Sequence, residues 1–438
     1  MKKYDYACGS LEHFSRRNLL KLAGLSGLSW LTPLGTLLAR QDEANPAAQA
    51  KSVIIIWLEG APSHLETFDP KPGTEIAAGS LARDTTVAGI QLGDGFERLA
   101  EQMEHVSLIR GLTSKEGDHN RAIYNIKTGF RPDPTLVHPA IGSVICHQLN
   151  TAEDQLVDIP RHISILPGQQ PGRGGYLGDS YDAFKMFDPQ NPVPDVTAHV
   201  SDARVDQRLE DLNVLNRRFL DRHSNNRSVD GRIGTHNLDA AVDMMSSEQL
   251  SAFDVSSVPL EERMQFGDTP FGRGCLTALR LIERGVRCVE VTLDGWDTHV
   301  NNHELQAGRI DILDPAIASL IKELKARDLL ESTLVLCGGE FGRTPWLNAA
   351  GGRDHWPHGF SLAIAGGGIQ GGRVIGETTS TPARESKDRS NEVVDSHPVE
   401  DVHATVFKAL GIRWRKELDT PVGRPMRICE GQSIDELF

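Results

Sequence analysis

Three apolar runs in this chain each close on an acidic residue, and two of them carry histidine close behind or one short loop later. Residues 53–58 end at Glu59, residues 287–293 lead into Asp294, Asp297 and His299, and residues 333–339 end at Glu340. A fourth cluster, Arg353-Asp354-His355-Trp356-Pro357-His358, supplies further imidazoles. Apolar runs of this length bounded by glycine and acid read as buried strands. In an open α/β sheet the carboxyl ends of the strands line the ligand crevice, so four segments distant in sequence can converge there. Carboxylate and imidazole together suit a divalent ion such as zinc, manganese, iron or magnesium.

Strand and helix signals alternate through most of the chain, which predicts a mostly parallel sheet covered on both faces. Strands are expected over 53–58, 106–109, 286–293, 334–337 and 361–365. Residues 273–284 carry helical periodicity and stop at Gly285, a C-cap signal. Residues 314–327 repeat it, with Asp314 as the expected cap and Pro315 in the first turn. A further helix is expected over 399–410. Residues 181–265 are richer in Asp, Arg, Asn and Ser, with amphipathic helices over 203–221 and 238–250, and read as a helical insertion over the sheet. The glycine-rich stretch 366–372 lacks the Lys-Ser/Thr ending of a phosphate loop and reads as a turn between strands.

The formal net charge of -14 over 438 residues argues against nucleic acid or anionic membrane as a partner, since both are held through clustered Lys and Arg. The amino end is different. Ser15-Arg16-Arg17-Asn18-Leu19-Leu20-Lys21 precedes a mildly apolar stretch over 22–39 broken by Gly24, Gly27, Pro33 and Gly35. This pattern reads as a twin-arginine export signal, with the export machinery as partner and no stable membrane span. Residues 1–50 are then signal and leader, residues 51–438 the folded domain, and the destination periplasmic or extracellular. The cysteines show no paired spacing and imply no disulfide framework.

The segments Trp57-Leu58-Glu59-Gly60-Ala61-Pro62-Ser63-His64, Gly117-Asp118-His119-Asn120-Arg121, Gly295-Trp296-Asp297-Thr298-His299, Gly339-Glu340-Phe341-Gly342-Arg343-Thr344-Pro345 and Gly352-Arg353-Asp354-His355-Trp356-Pro357 together closely resemble domain-of-unknown-function family 1501. That family is similar to the alkaline phosphatase and sulfatase superfamily. The resemblance implies an alkaline phosphatase-like three-layer α/β/α sandwich with a divalent metal (Zn, Mn, Mg or Ca) at the strand ends. It also implies hydrolysis of a phosphate or sulfate ester, borne by a small molecule or a polysaccharide. Carried over by position, Glu59, Asp297, His299 and Glu340 match metal ligands, with His355 or His358 as the closing histidine.

Phe341 stands where those enzymes carry a second histidine, and Gly117 stands where Ser, Thr or Cys is expected as nucleophile. Asp118, His119 or a hydroxide on the metal is left to attack, and Arg121 is expected to grip the anion from a helix N-terminus. Asn120 and Arg343 are assigned to substrate, although Arg343 is equally suited to orienting a carboxylate. The alternative is a non-catalytic descendant that binds metal or carbohydrate.

Overall fold

The computed structural model describes residues 50–151, 156–194, 196–223, 240–385, 389 and 392–438. The expected export signal with Arg16 and Arg17 lies outside these residues, as does part of the helix expected over 238–250. No described helix is long and apolar enough to cross a membrane.

The strand Ser52–Leu58 (β1) is the centre of the molecule. Alternate side chains of a strand point to opposite faces. Ile54, Ile56 and Leu58 therefore enter one core with helices Pro270–Glu283 (α4) and Asn302–Ala326 (α5). Val53 and Trp57 enter a second core with helices His119–Thr128 (α1) and Val399–Ala409 (α6). Both faces are covered, which is why β1 is an unbroken apolar run.

The other strands of the sheet are Val106–Thr113 (β2), His162–Ile165 (β3), Phe184–Met186 (β4), Cys288–Leu293 (β5), Thr333–Gly338 (β6), Phe360–Gly366 (β7), Val374–Ile375 (β8) and His397–Pro398 (β9). Their order is β8-β2-β7-β6-β1-β5-β3-β4, with β9 paired to β2. All pairings are parallel except those of β7, which runs antiparallel to β2 and β6. The result is a three-layer α/β/α sandwich with a mostly parallel sheet. Between β3 and β5 the chain carries further helices, among them Asp202–His223 (α3), while Ile141–Gln148 (α2) covers the sheet nearby.

The helix expected to start at Asp314 instead begins at Asn302 and carries Pro315 inside it. The Asp314 carboxylate is used elsewhere: it accepts from the backbone N–H groups of Arg98 (3.0 Å) and Leu99 (2.8 Å) and so caps the short helix Glu97–Ala100. The α4 helix starts three residues before the expected point, because Thr269 caps it through Gly272 N and Pro270 supplies its first turn. Cys146, Cys275, Cys288, Cys337 and Cys429 are all buried.

Candidate metal centre

The pairing register sets the edge at which the site forms. Leu58 lies opposite Leu293, and Trp57 lies opposite Gly338, so the segments after β1, β5 and β6 leave the sheet side by side. After β1 the chain turns sharply through Gly60 (φ 109°) and Ala61 (φ 63°). A side chain at position 60 would bring a Cβ within 2.6 Å of the Asp297 nitrogen, so glycine is required both by φ and by space. Gly60 N–H donates to Glu340 Oε1 at 3.0 Å, which ties the first and third strand ends together.

Two further segments close the site. His119 is the first residue of α1, behind Asp118, whose carboxylate accepts from Arg121 N–H at 3.2 Å as the N-cap. His355 lies in the short strand His355–Trp356, which pairs antiparallel with Gly342–Arg343.

Four donor atoms converge there. Asp297 Oδ1 lies 3.4 Å from His119 Nε2, 3.1 Å from His299 Nε2 and 3.4 Å from His355 Nε2. The Nε2 atoms of His299 and His355 are 3.0 Å apart. His119, Asp297 and His355 each offer an atom within 4.8 Å of the others. Zinc–nitrogen bonds of about 2.05 Å in a tetrahedron require ligand–ligand edges of about 3.3 Å, close to the separations of Asp297 Oδ1 from each of the three rings.

Each of the three rings is held on its far side by an oxygen. His119 Nδ1 meets Glu340 Oε1 at 2.7 Å, His299 Nδ1 meets Asp354 Oδ1 at 2.8 Å, and His355 Nδ1 meets the Gly117 carbonyl at 2.8 Å. These acceptors assign the ring proton to Nδ1 and leave the Nε2 lone pairs facing one another. Like lone pairs repel unless a cation or proton lies between them. Metal-binding histidines show this second hydrogen bond almost without exception. His119 Nε2 is buried and has no hydrogen-bond partner among the described residues.

Charge at the cluster is balanced by a buried arginine. The Arg343 guanidinium is fully buried and donates to Asp297 Oδ1 at 2.6 Å, to the Gly60 carbonyl, to the Ala61 carbonyl at 2.9 Å and to the Arg353 carbonyl at 3.2 Å. Burial pushes the Asp297 carboxyl up, but the Arg343 hydrogen bond and charge outweigh it and hold the group below the ordinary carboxylate range. Burial likewise disfavours protonated His119, yet the Glu340 hydrogen bond and charge raise it above the ordinary imidazole value. For His355 burial prevails and the value is lowered.

The remaining expected residues are placed as follows. Glu340 is fully buried and holds His119 and Gly60 N rather than standing in the three-residue cluster, with Oε2 left without a partner. Glu59 accepts from Gln169 N at 2.9 Å, and burial raises its carboxyl. It shares a cleft of about 360 Å³ with His119, Asp294 and Asp297. His358 packs against Trp356 and has Arg389 and Glu392 as its charged neighbours, away from the cluster.

Arg121 does not offer its guanidinium to the cleft. It forms a two-pronged pair with Glu116 (2.6 and 3.0 Å), which also holds Arg131 at 2.5 Å. Asn120 accepts from Gln170 Nε2 through its carbonyl (3.0 Å) and its side-chain oxygen (3.3 Å). Phe341, at the position of the missing histidine, lies against the rings of His119 (4.9 Å) and His355 (4.7 Å) and forms an apolar wall of the cluster. His119, read from sequence as a catalytic group, is a member of the metal-like cluster. Its spacing behind Gly117 and Asp118 gave no ligand signal.

The chain is similar to the solved structure of Ps i-CgsB in complex with k-i-k-neocarrahexaose, at 8% identity and a TM-score of 0.40 over 83% of this chain and 73% of that one. It is similar to the zinc complex of the C-terminal periplasmic domain of EcEptC from Escherichia coli, at 10% identity and 0.37 over 84% and 85%. The alkaline phosphatase of the Antarctic bacterium TAB5 matches at 13% identity and 0.30 over 73% and 92%. Likeness at this level leaves the chemistry to be argued from this chain's own side chains. No curated protein matches by sequence. The model of the family described as "Protein of unknown function (DUF1501)" matches residues 50–438, nearly the whole chain, and the chain therefore belongs to the DUF1501 family.

Proposed function

We propose that this chain is an exported, metal-dependent hydrolase of phosphoric or sulfuric esters, in which His119, His299, His355 and Asp297 hold one divalent ion. The observation that carries the metal is the set of three Nε2 atoms turned toward Asp297 Oδ1 while each Nδ1 is taken by an oxygen. When bound, such an ion supplies Lewis acidity toward a phosphoryl or sulfuryl oxygen. Arg343 keeps Asp297 ionised and fixed in place. Glu340 orients His119, and Phe341 keeps water from the back of the rings. The ester class rests on the order of motifs, which resembles that of the alkaline phosphatase and sulfatase superfamily. Export rests on the Arg16-Arg17 pair.

A second reading, a non-catalytic metal-binding descendant, is favoured by one feature. The head of α1 carries Gly117, Asp118 and His119, and none of these is a hydroxyl or thiol nucleophile. Elemental analysis of protein reconstituted with Zn, Mn, Mg or Ca, with turnover of an aryl phosphate, an aryl phosphodiester and an aryl sulfate, tests both. Bound metal with turnover of any ester supports the hydrolase. Metal without turnover supports the second reading, and absence of metal overturns both. For export, an Arg16→Lys/Arg17→Lys chain is expected to remain in the cytoplasm; normal export would refute that assignment.

A further inference from the structure

A second cavity, of about 480 Å³, adjoins the cleft at the cluster, and Gln169 lines both. The α1 helix runs along the two. His119 and Ile123 line the first, and Tyr124, Lys127 and Thr128 line the second. Five residues of helix advance about 7.5 Å, so the second cavity begins within one substituent's reach of the first.

The two cavities differ in charge. The first is lined by Glu59, Asp294 and Asp297 and by no lysine or arginine. The second is lined by Lys127, Arg173 and Lys185 against a single carboxylate, Asp182. Lys127 is already neutralised: it is buried, 2.9 Å from Glu290, and donates to the Gln170 carbonyl at 2.7 Å. Its work is to pin the loop between the cavities.

Arg173 and Lys185 are exposed, and among the described residues neither side chain has an ion-pair or hydrogen-bond partner. Asp182 is partly occupied, since its Oδ1 accepts from Gly174 N at 2.6 Å. The wall opposite is flat and fixed. His138 stacks on Phe130 with centroids 4.4 Å apart and planes 9° apart, and Tyr124 Oη bonds His138 Nδ1 at 2.8 Å.

We propose that this second cavity is a subsite for a further acidic group on an extended substrate, with Arg173 and Lys185 as its cations. A simple monoester would need only the first cleft. Two unpaired cations facing a fixed aromatic wall, in a cavity that shares Gln169 and the α1 helix with the first cleft, instead fit a polyanionic chain whose next sulfate, phosphate or carboxylate lies beside the one being cleaved. The inference deepens the proposed function and relies on it only for the substrate being an acid ester. Its test is therefore made on chelator-treated protein by binding alone.

Fluorescence anisotropy with labelled dextran sulfate, polyphosphate and oligogalacturonate, and with neutral dextran, compares wild type with Arg173→Ala/Lys185→Ala. An Arg284→Ala/Lys322→Ala variant removes two exposed cations from the α4 and α5 layer and controls for overall charge. The subsite variant is expected to lose about ten-fold in affinity for at least one polyanion at low salt, while the control variant does not. The polyanion showing the loss identifies the acidic group. Equal losses in both variants, no loss with any polyanion, or dextran bound as tightly as its sulfate would overturn the proposal. If metal binding fails while this difference persists, the ester reading falls and the subsite stands.

Discussion

The most exacting test of the proposed metal centre is not a ligand but the buried carboxylate behind one. Glu340→Gln changes no heavy-atom shape. The amide oxygen can still accept from both Gly60 N–H and His119 Nδ1–H, since a carbonyl oxygen has two lone pairs. The charge is lost, and with it the added basicity that a carboxylate lends to a metal-bound imidazole, while an amide nitrogen takes the buried place of Oε2. Removing such a partner typically costs 10- to 100-fold in metal affinity, or about 1.4–2.7 kcal/mol. Two carboxylates here act in the same way at different depths. Glu340 is wholly buried, whereas the Asp354 side chain behind His299 is 54% exposed. Solvent screens the exposed pair far more than the buried one. Glu340→Gln is therefore expected near the upper end, about 100-fold, and Asp354→Asn near about 10-fold or below. Competition against a chromophoric zinc chelator measures both, with thermal melts to verify folding. A folded Asp354→Asn that loses as much as Glu340→Gln, or a Glu340→Gln with unchanged affinity, would refute the outer-shell reasoning.

Two further expectations concern stability. His403 is fully buried with its Nε2 on the Ile126 carbonyl, and burial pushes its value down to about 4 from an ordinary 6.5. The folded protein thus stays neutral at this ring while the unfolded chain takes a proton. Stability full above pH 6.5 should fall by up to about 3 kcal/mol as pH drops to about 4. His403→Gln should flatten that acid limb in urea titrations; an unchanged slope would count against it. Lys127→Met strands Glu290 in the core and should cost about 3–5 kcal/mol, most of it regained in Lys127→Met/Glu290→Gln, and denaturation midpoints of the two variants check this.

The strands β1, β2, β5, β6 and β7 are legible in the sequence as mostly apolar runs, and the acids after β1, β5 and β6 mark the edge, whereas β3, β4, β8 and β9 are too short to stand out from their surroundings. Within the helix at 302–326, Asp314 and Pro315 have the local look of a start. The real use of Asp314 is to cap a helix more than 200 residues earlier. Arg121 reads as an anion holder because its place in the first turn of a helix is legible, whereas the turn that brings Glu116 to its guanidinium is not. The cluster itself depends on partners far apart in the chain. The Gly117 carbonyl that orients His355 lies 238 residues away, and the carboxylate on His119 lies 221 away. Local pattern reports which groups can ligate. It carries no record of which nitrogen each ring turns inward.

Four of the five buried cysteines among the described residues, Cys275, Cys288, Cys337 and Cys429, bear on the proposed export route. Burial lifts Cys275, Cys288 and Cys337 and pushes Cys429 up to about 12. Disulfide exchange requires a thiolate that can be reached, so the finished molecule offers these four sulfurs to no oxidant. An unfolded chain offers all of them, with ordinary acidity and no native partner to prefer. A protein built this way is protected by the sequence of events rather than by its covalent structure: closure of the core first, contact with oxidants second. A route that carries folded molecules preserves that sequence, and one that threads an open chain reverses it.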